Sequence, residues 1–179
     1  MNFILPAIFS FLVTIASFLP VIKLAKKFNL VDNPKIRPHP AHVQKRVVPR
    51  AGGLLPFVGI VSAVTFFLPL TLNILGILAG LTTLLIIGLL DDKHPGFSPY
   101  LRLIGQFIAA GFVVFSGIGI NFVTNPLGGI VNFSPFLSYI LALVWIVWVM
   151  NMINWSKGVD GQMPSITTVA ALILGLLSL

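Results

Sequence analysis

The sequence contains no cysteine and no glutamate, and only fifteen of its 179 residues are charged, eleven Lys or Arg and four Asp. Without cysteine there is no disulfide framework, no thiolate nucleophile and no Cys-based metal site, and cysteine usage says nothing of redox compartment. Charge is absent altogether from residues 1–22, 51–90 and 103–156. A chain that is 57% hydrophobic and 8% charged is not a soluble domain, because long apolar runs define the membrane class. No Asp, Glu, Lys, Arg or His sits within those runs, where proton relays and ion sites need one, which disfavours a transporter or channel. Internal repeats and low-complexity linkers are missing too, so residues 1–179 read as a single integral membrane domain.

What charge there is falls in three short windows. The first holds Lys23, Lys26, Lys27, Asp32, Lys35, Arg37, Lys45, Arg46 and Arg50; the second Asp91, Asp92, Lys93 and Arg102; the third Lys157 and Asp160. A bilayer crossing takes about 20 apolar residues, so the gaps correspond to one span, then two, then two. That parity returns every window to one face of the membrane. The excess of Lys and Arg makes it the cytoplasmic face, with the N-terminus outside. The net charge of +7 is thereby explained by the membrane, and nucleic acid is not expected as a partner. A cleaved signal peptide is disfavoured over residues 3–22, since the positive charges follow the apolar run instead of leading it.

The expected fold is all-α, a polytopic bundle of about six transmembrane helices near residues 3–22, 54–70, 74–90, 104–121, 135–151 and 165–179. Only helices and closed barrels satisfy backbone hydrogen bonds in lipid, and runs of this length without alternation mean helices. Pro126, Gly128 and Gly129 mark residues 122–134 as an external turn or loop. The short link at residues 69–73 predicts a tight antiparallel pair of spans two and three. The last run, about 15 residues, rises roughly 22 Å, short of the roughly 30 Å hydrocarbon core. The chain is therefore expected to be the N-terminal part of a longer protein.

Three constellations could carry chemistry. Asp91 and Asp92 directly follow an apolar run, and adjacent carboxylates at a membrane boundary repel one another unless a cation neutralises them. Hard oxygen ligands there suit Mg²⁺, which uses one or two carboxylates plus substrate phosphates. The plainer alternative is a solvated acidic helix end paired with Lys93 or Arg102. Second, Asn151 and Asn154 lie three apart, on one helical face, ahead of a turn in which Gly158 and Gly161 bracket Asp160 and permit close backbone approach to a ligand. A plain connection between spans is the alternative. Third, the loop from Lys23 to Gly53 is basic, proline-rich and holds His39 and His42. It would attract anionic lipid or a phosphorylated substrate, or merely fix topology. No spacing there suits a zinc site.

Taken in order, these windows resemble the polyprenyl-phosphate sugar-1-phosphate transferases, glycosyltransferase family 4. Leu30-Val31-Asp32-x-Pro34, His42-x-x-Lys45 and Pro49-Arg50-x-Gly52-Gly53 are similar to that family's first cytoplasmic loop. Gly88-x-x-Asp91-Asp92, then Ser98-Pro99 and Gly105-Gln106, resemble its Asp-Asp loop, and Asn151-x-x-Asn154 through Gly158-x-Asp160-Gly161 its Asn-x-x-Asn-x-x-Asp-Gly-x-Asp-Gly motif.

The resemblance implies a ten- or eleven-span enzyme, of which this chain covers about the first half. The implied reaction is attack of a membrane polyprenyl phosphate on the β-phosphate of a UDP-amino sugar, with Mg²⁺ (or Mn²⁺) as cofactor and UMP released. It makes Asp91 the base or lipid-phosphate contact, and places Asp92 and Asn154 beside the metal. His42, Lys45, Arg50, Asn151, Asn154, Lys157, Gly158, Asp160 and Gly161 become substrate contacts, and a homodimer is left open. This chain departs from the motif at Lys157, which stands where the family has its first Asp. Pro49-Arg50 leans to the GlcNAc branch, whereas the step from His42 to Pro49 leans to the MurNAc-pentapeptide branch. A non-catalytic membrane subunit that binds lipid phosphate or nucleotide is the alternative to an enzyme.

Overall fold

The computed structural model describes residues 4–32, 48–94, 96–156 and 161–177. They form two compact units, Met1–Gly117 and Ile118–Leu179.

The first unit begins with helices α1 (Ile4–Ala16) and α2 (Phe18–Lys27), bent by 43° about Ser17. Pro20 in the first turn of α2 explains the break. It has no N–H to give, and its ring crowds the carbonyl four residues back. The first apolar run is therefore a broken helix, not one straight span. At the other end of α2, Asn29 takes φ 56°, while Leu30 N–H donates to Ala25 O (2.8 Å) and Asn29 N–H to Lys26 O (3.3 Å). This pair of bonds about a left-handed residue is a Schellman stop. It turns the chain into β1 (Val31–Asp32), which pairs antiparallel with β2 (Val48–Pro49).

Arg50 N–H then donates to Leu30 O (2.9 Å), so the first basic loop leaves and rejoins the fold at one place. Ala25, Leu30 and Ala51 form a buried cluster there, with Leu54 and Leu89 packed on it.

Helix α3 (Leu54–Phe67) packs chiefly on α1, where Phe9 meets Phe66 and Phe67 edge-on at 5.5 and 5.3 Å between ring centroids. Helix α4 (Leu72–Lys93) opens on Thr71, whose Oγ1 accepts from Ile74 N–H (3.4 Å). It packs chiefly on α5 (Pro99–Phe115). Along that seam Gly76 and Gly80 face α5 backbone. A Cβ on Gly76 would collide with Ser116 and lie 2.7 Å from Phe112 O; one on Gly80 would lie 2.8 Å from Ala109 O. The expected tight pairing of α3 with α4 is not what forms. A short link fixes which helices are neighbours in sequence, but the small residues of α4 face α5, and closest packing follows them.

The second unit holds β3 (Phe122–Thr124), β4 (Ile130–Asn132), α6 (Pro135–Trp155) and α7 (Gln162–Leu177). The segment expected as a loop is an antiparallel hairpin with Val123 opposite Val131. Among the described residues, α4 and α6 are long and apolar enough to cross a membrane, and the bent α1–α2 pair is so if taken as one span; α3, α5 and α7 are shorter apolar helices.

Candidate functional site

The last turn of α4 ends in Asp91, Asp92 and Lys93, and the first turn of α5 carries Arg102. Because α4 and α5 are held close along their seam, these two helix ends meet. Arg102 Nη2 donates to Asp91 Oδ1 at 2.8 Å, each side chain about a third exposed. The Arg102 Nε is buried and has no hydrogen-bond partner among the described residues. Of the two cations considered as partners from sequence, Arg102 is the one in place.

Asp92, the next residue, is placed differently. It lines an apolar groove of about 280 Å³ between α3 and α4, together with Ala51, Gly53, Phe57, Leu85 and Gly88. The wall at that end comes from the chain just after Arg50, held by β1–β2 and by the Ala25–Leu30–Ala51 cluster. The exit of the basic loop and one member of the acidic pair are thus brought to the same mouth. Arg50 is half-buried beside it in sequence.

In the second unit, Asn151 and Asn154 occupy the last two turns of α6 and are both half-buried. The Asn151 Nδ2 donates to Val147 O of its own helix at 2.8 Å. Gly161 has φ +81° and opens α7, its carbonyl accepting from the Ser165 N–H (3.0 Å) and Oγ (2.8 Å). His42, Lys45, Lys157, Gly158 and Asp160 lie outside the described residues.

No three His, Cys, Asp or Glu cluster among the described residues. Asp92 alone still fits the way Mg²⁺ is held where substrate phosphates complete its shell, through one or two carboxylates. Arg102 was not singled out from sequence as a site residue. Its signal was available, since Ser98-Pro99 starts a helix and so puts residue 102 in a first turn facing the preceding acidic end.

The family model for glycosyl transferase family 4 matches residues 74–179. The chain belongs to glycosyl transferase family 4. Within the family it is 28% identical over 170 residues to a probable undecaprenyl-phosphate N-acetylglucosaminyl 1-phosphate transferase of Bacillus subtilis, covering 94% of this chain and 46% of that protein. It is 29% identical to the decaprenyl-phosphate N-acetylglucosaminephosphotransferase of Mycobacterium tuberculosis, over 89% of this chain and 41% of that one. A phospho-N-acetylmuramoyl-pentapeptide-transferase of Lactobacillus gasseri is 30% identical over 95 residues, 48% of this chain and 30% of that one. The chain spans less than half the length of these relatives. No solved structure matches it.

Proposed function

We propose that this chain forms part of a membrane enzyme that transfers N-acetylglucosamine 1-phosphate from its UDP donor to a polyprenyl phosphate in cell-envelope synthesis. An oxygen of the lipid phosphate bonds to the β-phosphorus of the donor, the anhydride bond to the α-phosphate breaks, and UMP leaves. Reactions of this type need positioning and charge neutralisation more than covalent chemistry from the protein.

The observation that carries the reading is Asp92 at the mouth of the α3–α4 groove, against the exit of the basic loop. The apolar walls suit the first carbons of the lipid, and the basic loop suits its phosphate and the nucleotide. When bound at Asp92, Mg²⁺ would neutralise phosphate charge. Arg102 holds Asp91 in one orientation beside it. The charged windows face the cytoplasm and the N-terminus lies outside, as the distribution of Lys and Arg supports. GlcNAc is favoured as the sugar because the GlcNAc-transferring relatives align with most of this chain, the MurNAc-pentapeptide relative with about half.

Membranes carrying the protein in its full natural reading frame should release UMP from UDP-GlcNAc when given undecaprenyl phosphate and Mg²⁺. Asp92→Asn should lower that rate by about 100-fold or more, the scale on which a positioned electrostatic group acts. Activity that survives both Asp91→Asn and Asp92→Asn would overturn the reading.

A further inference from the structure

The hairpin of the second unit is unusual for a turn between membrane helices. Its strands carry apolar side chains on both faces, and Phe122, Val123, Ile130 and Val131 are all exposed. At its tip stands Leu127, 96% exposed. A hairpin displayed to water ordinarily has one polar face and a polar tip. Here one face is Val123 and Val131, and the other mixes Thr124 and Asn132 with Phe122 and Ile130. The outermost tip side chain is Leu127, and no charged residue occurs anywhere from residue 103 to residue 156.

Its backbone is closed as well. Asn125 N–H donates to Gly129 O (3.0 Å), Gly128 N–H to Asn125 O (2.9 Å) and Leu127 N–H to Asn125 Oδ1 (3.0 Å), while residue 126 is a proline with no N–H. The tip therefore presents a leucine and leaves few donors for water to satisfy. Internal satisfaction of this kind is what a low-dielectric medium demands of a backbone.

Connectivity fixes where the hairpin sits. β4 ends at Asn132 and the membrane-length helix α6 begins at Pro135, so the hairpin is tied to the level at which α6 enters the bilayer. It also folds back toward that helix. Val123 and Phe133 line an apolar groove of about 250 Å³ with Leu141, Val144, Trp145 and Trp148, which the helical rise puts roughly 9 to 20 Å in from the start of α6. Asn121 anchors the arrangement, its Oδ1 accepting from the buried Ser138 Oγ at 2.8 Å. The strands still have open outer edges, and these are not tolerated in lipid-exposed hydrocarbon. The two constraints meet at the interfacial zone, with the tip directed to the acyl chains.

We propose that the β3–β4 hairpin is a lipid-docking element, inserted through Leu127 and Ile130 into the bilayer leaflet at the N-terminal end of α6, with acyl chains filling the groove beside Trp145 and Trp148. It is independent of the transferase reading.

Because the chain has no cysteine, a single cysteine takes a unique nitroxide label. The full chain bearing Leu127→Cys, and separately Ile130→Cys, is labelled and reconstituted in phosphatidylcholine vesicles. Accessibility is then read with oxygen, which concentrates among acyl chains, and with a water-soluble nickel chelate. Labels at both positions should show an oxygen-to-nickel ratio several-fold above that of Lys93→Cys, an exposed position at the charged end of α4. A ratio equal to that of Lys93→Cys would place the hairpin in water and overturn the proposal. Exclusion of both reagents would also overturn it, by showing protein over the tip.

Discussion

Arg102 and Asp91 are eleven residues apart in sequence and joined by a 2.8 Å ion pair between the facing ends of α5 and α4. The pair separates two carboxylates that are neighbours in the chain: one is tethered to a guanidinium, the other lines a groove. Replacing Arg102 with Ala should leave the fold nearly unchanged, since a pair this exposed contributes less than about 1 kcal/mol. Turnover should nonetheless fall, by about 100-fold, because a small displacement of a positioned group is enough. Arg102→Lys keeps the charge but loses the planar fork and should fall between. UMP release beside a denaturation curve for each variant separates the two effects.

The α4–α5 seam gives a stability prediction. Gly76→Leu forces a side chain into Ser116 and the backbone at Phe112, and overpacking of this kind costs about 1–3 kcal/mol. A Cβ at Gly88, on the same helix, meets nothing within 4 Å. Gly88→Ala should therefore be neutral or stabilising by up to about 1 kcal/mol through helix propensity. Thermal unfolding in detergent should rank them in that order.

Ser138 is 1% exposed and its hydroxyl bonds Asn121, while its carbonyl accepts from Ile120 N–H at 3.3 Å. Ser138→Ala removes one hydrogen bond, worth about 1 kcal/mol, and frees Asn121 from α6. Hydrogen exchange should accelerate in residues 122–132 and stay unchanged in α4.

The helices were legible in the sequence because hydropathy reports burial in lipid directly, and α4, α6 and α7 lie close to where the apolar runs put them. The bend at Ser17 was encoded in Pro20 but hidden by apolar residues on both sides. The hairpin was masked because its strands do not alternate, so only the turn residues Pro126, Gly128 and Gly129 registered. Asp91 and Asp92 were legible as a pair by their position at the end of an uncharged run. That they divide between an ion pair and a groove depends on which helix each one faces, and that was set by Gly76 and Gly80, far away on α4. Pairing choice between helices is a matter of shape, which a one-dimensional pattern of polarity does not contain.

The groove beside Asp92 runs along α4 only from Leu81, which is about 16 Å of helical rise and just over half of a roughly 30 Å hydrocarbon core. A long isoprenoid lying in it would have only its head-proximal units held by protein, and its remaining units would wander in the bilayer. On the proposed function, the groove would read that a lipid is apolar and where its phosphate begins, and nothing among its described lining residues would count how many units follow. Carriers of different total length would then serve equally well.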